Sequence, residues 1–329
     1  MNYSIDKQYI DLAKKVLKEG SKEEGRNGDT RSIFGATIRH SMKYNFPLIT
    51  SKKVNFNAVV AEFLWMLKGK TDLRYLLDNN CNIWTGDFYR SYLEAIGALG
   101  NINANMYGMG NDFDLDQKPL TKEQFVKAII NDDDFNSKWG DDKRLYGGQW
   151  RNYNLTGLDQ LYTAFYRLKN DPNSRRILVN SWNPVDVEYS ILPPCHYSFQ
   201  FNTRKVGTDS RELSLLWVQR SVDLPLGLPF NIAFYGLLLH VFAKMLRMSA
   251  GDIVGQLGNI HVYENQVETL EKQIGATTFL QPVLKTSDDI NWEVDSYEDF
   301  NRFIHELHVD DFRVDNYNNS GVFKYPLSN

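Results

Sequence analysis

Cysteine is scarce in this chain. Only Cys81 and Cys195 occur among 329 residues, so no disulfide framework is implied. The six histidines are scattered, and no Cys/His cluster has the spacing of a zinc site, so no metal is expected. His305 and His308 read as a solvated pair on one helix face. No apolar stretch is long enough to span a bilayer. The longest, Ile232–Phe242, carries His240 and is followed by Lys244 and Arg247, so it reads as a buried helix and no membrane partner is expected. Excess positive charge is absent too: a net charge of −4 argues against a nucleic-acid partner, which a basic surface would serve. Any phosphate affinity must then come from a few placed arginines. The N-terminal MNYSIDKQYIDLAKKVLKEG is a charged amphipathic helix ended by Gly20 and not a signal peptide. These exclusions lead to the expectation of a soluble, cytoplasmic globular protein.

What is present is core-forming material, with 42% hydrophobic and 13% aromatic residues. After the first helix comes a glycine-containing turn, GRNGDTRSIFG, then strand-like material through Thr50. An apolar helix follows from about Asn55 to Leu67, closed by Gly69. The segment from about 99 to 142 is rich in Asn, Asp and Gly, with one amphipathic helix near Thr121–Asn131; it reads as a peripheral insertion. Leu158–Leu168 reads as a helix and Arg176–Trp182 as a strand. Tyr197–Asn202 alternates apolar and polar residues, as a half-buried strand does, and Leu213–Val218 is the next strand. The polar turn between them suggests a hairpin. A long buried helix begins near Pro229, and the tail after Asp310 reads as irregular. Strands and helices that do not strictly alternate favour an α+β single domain over residues 1–329.

The most informative feature is Pro193-Pro194-Cys195-His196 just before a strand. Two prolines fix the backbone and hold the cysteine at a strand mouth. A thiol is a nucleophile only as thiolate, which nearby positive charge favours. Cys195 alone reads first as a small buried hydrophobe, but arginines in apolar segments reverse the weighting. Arg175 and Arg176 open SRRILVNSW, and Arg220 ends WVQR. Arginine beside core strands is costly unless it pairs or binds an anion, and bidentate guanidinium–phosphate geometry is one such use. Glu62 sits in AVVAEFLWML, apolar nearly all round, so its carboxylate is expected to be buried. Burial raises an acid's pKa and suits proton transfer near neutrality, although a structural pairing with an arginine would fit as well. Asn231 offers one donor and one acceptor, matching the O4/N3–H edge of a uracil, or it is simply a helix cap.

Together these segments resemble the thymidylate synthase family through most of the chain. The resemblance runs through RSIFG near Ser32–Gly35, FPLITSKK at 46–53, AEFLWML around Glu62 and YGGQWR at 146–151. It continues in DPNSRRILVNSWNP at 171–184, LPPCHYSFQF at 192–201, QRSVDLPLGLPFNIAFY at 219–235 and IHVYEN at 260–265. The resemblance implies a large twisted mixed β-sheet flanked by helices, with one sheet face used for homodimerisation. It implies reductive methylation of dUMP to dTMP through a Cys195 adduct at C6, with the reduced folate 5,10-methylenetetrahydrofolate as carbon and hydride donor. Arg220 and Ser221, with Arg26, would hold the phosphate, and Arg175 and Arg176 would reach into the partner's site. Asn231 would read the pyrimidine, and His261 and Tyr263 the ribose 3′-hydroxyl. Glu62, with His196 nearby, would manage protons at O4, and Tyr146 would help order the water that removes the C5 proton. Asp223 would accept from the pterin, with Trp84, Leu226, Gly227 and Phe230 as the apolar folate wall.

The chain departs from the family's pattern in four places. Thr85-Gly86-Asp87 follows Ile83-Trp84, Gln266 stands where histidine is usual, Phe234 replaces a serine, and the chain ends Tyr325-Pro326-Leu327-Ser328-Asn329. The usual terminal segment helps close the site and exclude water. The resemblance therefore also admits a dUMP hydroxymethylase, in which water in place of hydride meets the methylene and tetrahydrofolate is released. A nucleotide- or RNA-binding protein that kept the fold and lost the chemistry is the alternative from another class.

Overall fold

A computed structural model describes residues 4–25, 28–97 and 118–326. In chain order it begins with α1 (Ile5–Glu19), β1 (Ser21–Glu23) and β2 (Thr30–Ser41). Helices α2 (Phe56–Leu67), α3 (Leu73–Asp78), α4 (Thr85–Ala95), α5 (Lys122–Asn131), α6 (Asp133–Trp139), α7 (Tyr146–Arg151) and α8 (Gln160–Asn170) follow. Next come β3 (Leu178–Asn180), β4 (His196–Val206), β5 (Ser210–Asp223), α9 (Gly227–Met245) and β6 (Ser249–Tyr263). The remainder is α10 (Val267–Ile274), β7 (Val283–Thr286), α11 (Tyr297–Glu306) and β8 (Phe312–Asp315). The architecture is α+β. The chain divides into two compact units, one of Met1–Phe63, Leu161–Val179 and Cys195–Ser328, the other of Leu64–Gln160 and Asn180–Pro194.

The larger unit is organised by a mixed six-stranded sheet in the order β1-β2-β6-β5-β4-β3. β4 runs antiparallel to β5, β5 parallel to β6, and β6 antiparallel to β2. Along β5 the residues Leu213, Leu215, Trp217 and Gln219 are buried and the intervening ones half-buried, the period of two that a strand requires. α9 packs on β5 and β6. It is buried nearly all round, and this inward packing accounts for a helix long and apolar enough by composition to cross a membrane. Each fully buried leucine of its Leu237-Leu238-Leu239 run contributes about 1.5–3 kcal/mol of burial.

Two polar devices hold the larger unit's first helix. The Ser4 hydroxyl caps α1 by accepting from the Lys7 N–H. In the first turn, the fully buried Asp6 carboxylate accepts from the Thr50 and Ser51 N–H groups at 2.8 and 2.9 Å, the Thr50 hydroxyl at 2.8 Å and Gln281 Nε2 at 2.8 Å. Burial still pushes its pKa up despite those donors.

In the smaller unit, Trp84 packs between Trp65 and Tyr146, with ring centroids 5.3 and 6.0 Å away. Tyr92, Phe125, Phe135 and Trp139 form a second aromatic cluster. The Thr121/Gln124 capping box starts α5, and Arg74 Nε of α3 donates to the Ile129 carbonyl at 2.7 Å. The expected insertion therefore contains α5 and α6 packed on α3; its residues 99–117 lie outside the described residues.

Several local expectations are corrected. The strand read as far as Thr50 stops at Ser41, because Asn45 adopts φ 72° and turns the chain. The strand expected over 176–182 is only Leu178–Asn180, with Arg175 and Arg176 exposed ahead of it at the sheet edge. The tail after Asp310 contains β8, paired antiparallel to β7. Helix α11 ends at Glu306, so His305 and His308 share no helix face.

Gly255 of β6 faces the indole of Trp217, and a Cβ there would sit 2.6 Å from Cη2 of that fully buried ring. Gly255→Ala should therefore destabilise the protein by about 1–3 kcal/mol through overpacking, read by urea unfolding. An unchanged midpoint would contradict this account of the sheet.

Candidate active site

Strand direction brings Cys195, His196, Arg220, Ser221, Asp223, His261 and Tyr263 to one end of the larger unit's sheet, while Arg175 and Arg176 precede Ile177, whose carbonyl accepts the Phe201 N–H farther along β4. β4 is antiparallel to β5, so the start of β4 lies beside the end of β5, with His196 opposite Gln219. β5 is parallel to β6, which pairs Ser221 with Asn259 and Asp223 with His261. β2 adds Ser32 opposite His261 and Thr30 opposite Tyr263. Cys195 precedes β4 and is half-buried, and its carbonyl accepts the Arg220 N–H at 2.8 Å. A bulge between His196 and Ser198 leaves Tyr197 as the extra residue, interrupting the simple alternation expected there.

Asn231 is oriented by a relay from the sheet. The Trp217 indole N–H, which can only donate, reaches Gln219 Oε1 at 3.3 Å. Gln219 Nε2 then donates to Asn231 Oδ1 at 2.9 Å and to the Ser221 carbonyl at 3.0 Å. The relay assigns Oδ1 and Nδ2 of Asn231, and an Oδ1 acceptor beside an Nδ2 donor complements N3–H and O4 of a uracil. Cytosine presents the opposite pattern. Sequence reasoning misses Gln219, although a glutamine at an inward strand position is its signal.

His196 is buried and its Nδ1 lies 2.8 Å from the Tyr235 hydroxyl. Burial lowers its pKa to about 3, so the ring is neutral near pH 7. Glu62 is buried as expected, 7% exposed, in the same unit. Burial, and secondarily the Glu62 charge, push the Tyr235 phenol well above its ordinary range.

Asp223 Oδ1 accepts the Leu226 N–H at 2.9 Å. Burial raises its pKa, while that bond, His261 and Lys52 pull it down. Burial lowers His261, partly offset by Asp223, and His261 Nδ1 lies 3.0 Å from Asn259 Oδ1. Lys52, another residue without an assigned role on the sequence, is buried with its ammonium donating to the Pro225 carbonyl, and burial lowers its pKa to about 8. Leu226, Gly227 and Phe230 are half-buried beside Asp223 at the start of α9. Apolar surface next to a carboxylate acceptor fits a flat heteroaromatic ring that carries N–H donors.

Arg220 and Ser221 are half-exposed at the same strand end. Arg175 and Arg176 are exposed, and Arg26 lies outside the described residues. Gln266 accepts the Tyr263 N–H at 3.2 Å and donates to the Pro326 carbonyl at 3.0 Å, while the Tyr325 hydroxyl bonds Gln273. The last three residues of the chain lie outside the described residues. In the smaller unit, Tyr146 and Trp84 are buried, 2% and 6% exposed. Among the described residues no group of three His, Cys, Asp or Glu side chains is placed to hold a metal ion.

A family model described as thymidylate synthase matches residues 7–329. A thymidylate synthase of Mycoplasma genitalium is 38% identical over 287 residues, covering 86% of this chain and 91% of that protein. One from Listeria innocua is 35% identical over 329 residues, covering 98% and 99%.

The depressed His196 pKa has a consequence for stability. Below about pH 6.5 the unfolded chain binds a proton that the folded His196 refuses until about pH 3. Stability should fall by about 1.4 kcal/mol per pH unit from this group as pH drops through that window. In urea titrations across pH, His196→Gln should lose that part of the slope. An identical slope in both proteins would show that His196 is not held neutral.

Proposed function

The chain belongs to the thymidylate synthase family, and from that premise we propose that it converts dUMP to dTMP with 5,10-methylenetetrahydrofolate. The observation that carries the reading is the convergence at one sheet end of Cys195, Arg220, Ser221 and the relay-oriented Asn231. Arg220 and Ser221, joined by Arg26, hold the phosphate. Asn231 accepts from N3–H and donates to O4, while His261 and Tyr263 hold the ribose 3′-hydroxyl. The Cys195 thiolate adds to C6, which makes C5 nucleophilic as electron density moves to O4. Glu62 and His196 handle the proton balance at O4. When bound, the folate would supply the one-carbon unit and then the hydride, ending as dihydrofolate, and the Cys195–C6 bond breaks as the C5=C6 double bond is restored, releasing dTMP and the thiolate. Asp223 orients the folate by accepting from its ring N–H groups, and Leu226, Gly227 and Phe230 exclude water from it.

The proposal takes residues 1–329 as one catalytic domain acting in the cytoplasm as a homodimer. The dimer reading is supported by a hollow of about 520 Å³ on the sheet, lined by Phe34, Ala36, Tyr197, Val218, Arg220 and Leu257. Phe34 is 87% exposed there, an apolar ring suited to burial against a second copy. Arg175 and Arg176 are exposed and would cross to the partner's phosphate site.

Incubation with dUMP and methylenetetrahydrofolate should give dTMP by mass, with dihydrofolate absorbance rising in step. Hydroxymethyl-dUMP without dihydrofolate would replace hydride by water and sink the methylation reading. Bound dUMP without turnover would favour a binding protein. Cys195→Ser should lose nearly all turnover while dUMP binding, followed by calorimetry, stays largely intact. Loss of both together would make the cysteine structural.

A further inference from the structure

Tyr235 stands four residues beyond Asn231, on the same face of α9. Asn231 meets Gln219 of β5, and Tyr235 meets His196 of β4, the residue paired opposite Gln219. Each strand residue is thus met by one helix residue, and the two contacts lie side by side. The Tyr235 ring is fully buried, stacked on Trp217 with centroids 4.9 Å apart and planes at 11°. That stack fixes where the hydroxyl points. Phe234, the preceding residue, lies with its centroid 5.7 Å from the His196 ring and contributes no hydrogen-bonding side-chain group.

We propose that Tyr235 is the positioning residue for His196, its hydroxyl donating to Nδ1 and so holding the imidazole as the tautomer with its proton on Nε2. The direction of the bond follows from satisfying the phenol. Among the described residues Nδ1 is the one hydrogen-bond partner of the Tyr235 hydroxyl. Were the hydroxyl to accept from Nδ1–H, its own proton would be buried without an acceptor, a costly arrangement. Donation satisfies both groups and leaves Nε2–H as a fixed donor. His196 then steadies a developing negative charge or a water by donating, and it is not a base. Proton movement falls to another group, the part proposed above for Glu62. The inference rests on the proposed proton handling at O4, and it assigns His196 the donor's part within it.

The test is imidazole ¹⁵N NMR of histidine-labelled protein, paired with kinetics. Wild type should show a protonated Nε2 and an unprotonated Nδ1 across about pH 5–8. In Tyr235→Phe the two tautomers should mix, and kcat should fall by about ten- to a hundredfold while KM for dUMP changes by less than about twofold. A loss that came only from loosened packing would leave the wild-type tautomer in place in the variant. A proton on Nδ1 in wild type overturns the proposal, as does an unchanged tautomer or an unchanged kcat in Tyr235→Phe. Should that variant not fold, the wild-type spectrum still decides the tautomer. Wild type that shows the tautomer but never turns over dUMP would refute the proposed activity while leaving the Tyr235–His196 geometry standing.

Discussion

The site depends first on one backbone hydrogen bond, from the Arg220 amide to the Cys195 carbonyl. Its net energy is modest, about 1 kcal/mol, but its position matters more than its strength. It ties the residue before β4 to the end of β5, beside the strand end where β6 presents His261. Slipping the β4–β5 register by one residue would turn His196 and every side chain beyond it to the other face. The bulge that follows His196 absorbs one residue and lets the strand resume its alternation by Phe199.

Behind that edge two buried polar pairs lie side by side, Gln219 with Asn231 and His196 with Tyr235. Trp217 serves both pairs, since its ring stacks on Tyr235 and its N–H begins the relay through Gln219 to Asn231. The close approach of Gly255 is what admits so large an indole beneath the sheet. Nearer the strand ends, burial pushes Asp223 up and both His261 and Lys52 down, each towards its neutral form. The three groups partly offset one another, a balance that an anionic nucleotide or a folate ring would shift on arrival.

Much of this was legible in the sequence where one physical signal dominated. Period-two alternation marks β4, the polar turn after it marks the hairpin to β5, continuous apolarity marks α2 and α9, and the surrounding apolar residues mark Glu62 as buried. β6 was missed although it lies between β2 and β5. Its GDIVGQLGNIHVY carries three glycines within a strand, a depleted residue whose use here is close contact with Trp217 and with the Arg220 backbone. Tyr235 reads as one more core aromatic, because nothing local reveals that its hydroxyl meets a histidine 39 positions away. Lys52, in a run of two lysines, reads as solvated until the Pro225 carbonyl is placed beside it. Arg175 and Arg176 looked like strand residues because the apolar ILV that follows them is the strand, a short one at the sheet edge.

The central claim is that Cys195 forms a bond to C6 of a uracil nucleotide whose edge Asn231 reads. The most direct measurement is intact and peptide mass spectrometry after incubation with 5-fluoro-dUMP and methylenetetrahydrofolate. Fluorine at C5 cannot leave as the proton does, so the reaction should stop with nucleotide and folate both attached. The account predicts that combined mass, located on the peptide carrying Cys195. Unmodified Cys195 under conditions where dUMP is turned over, or an adduct on another residue, would contradict it.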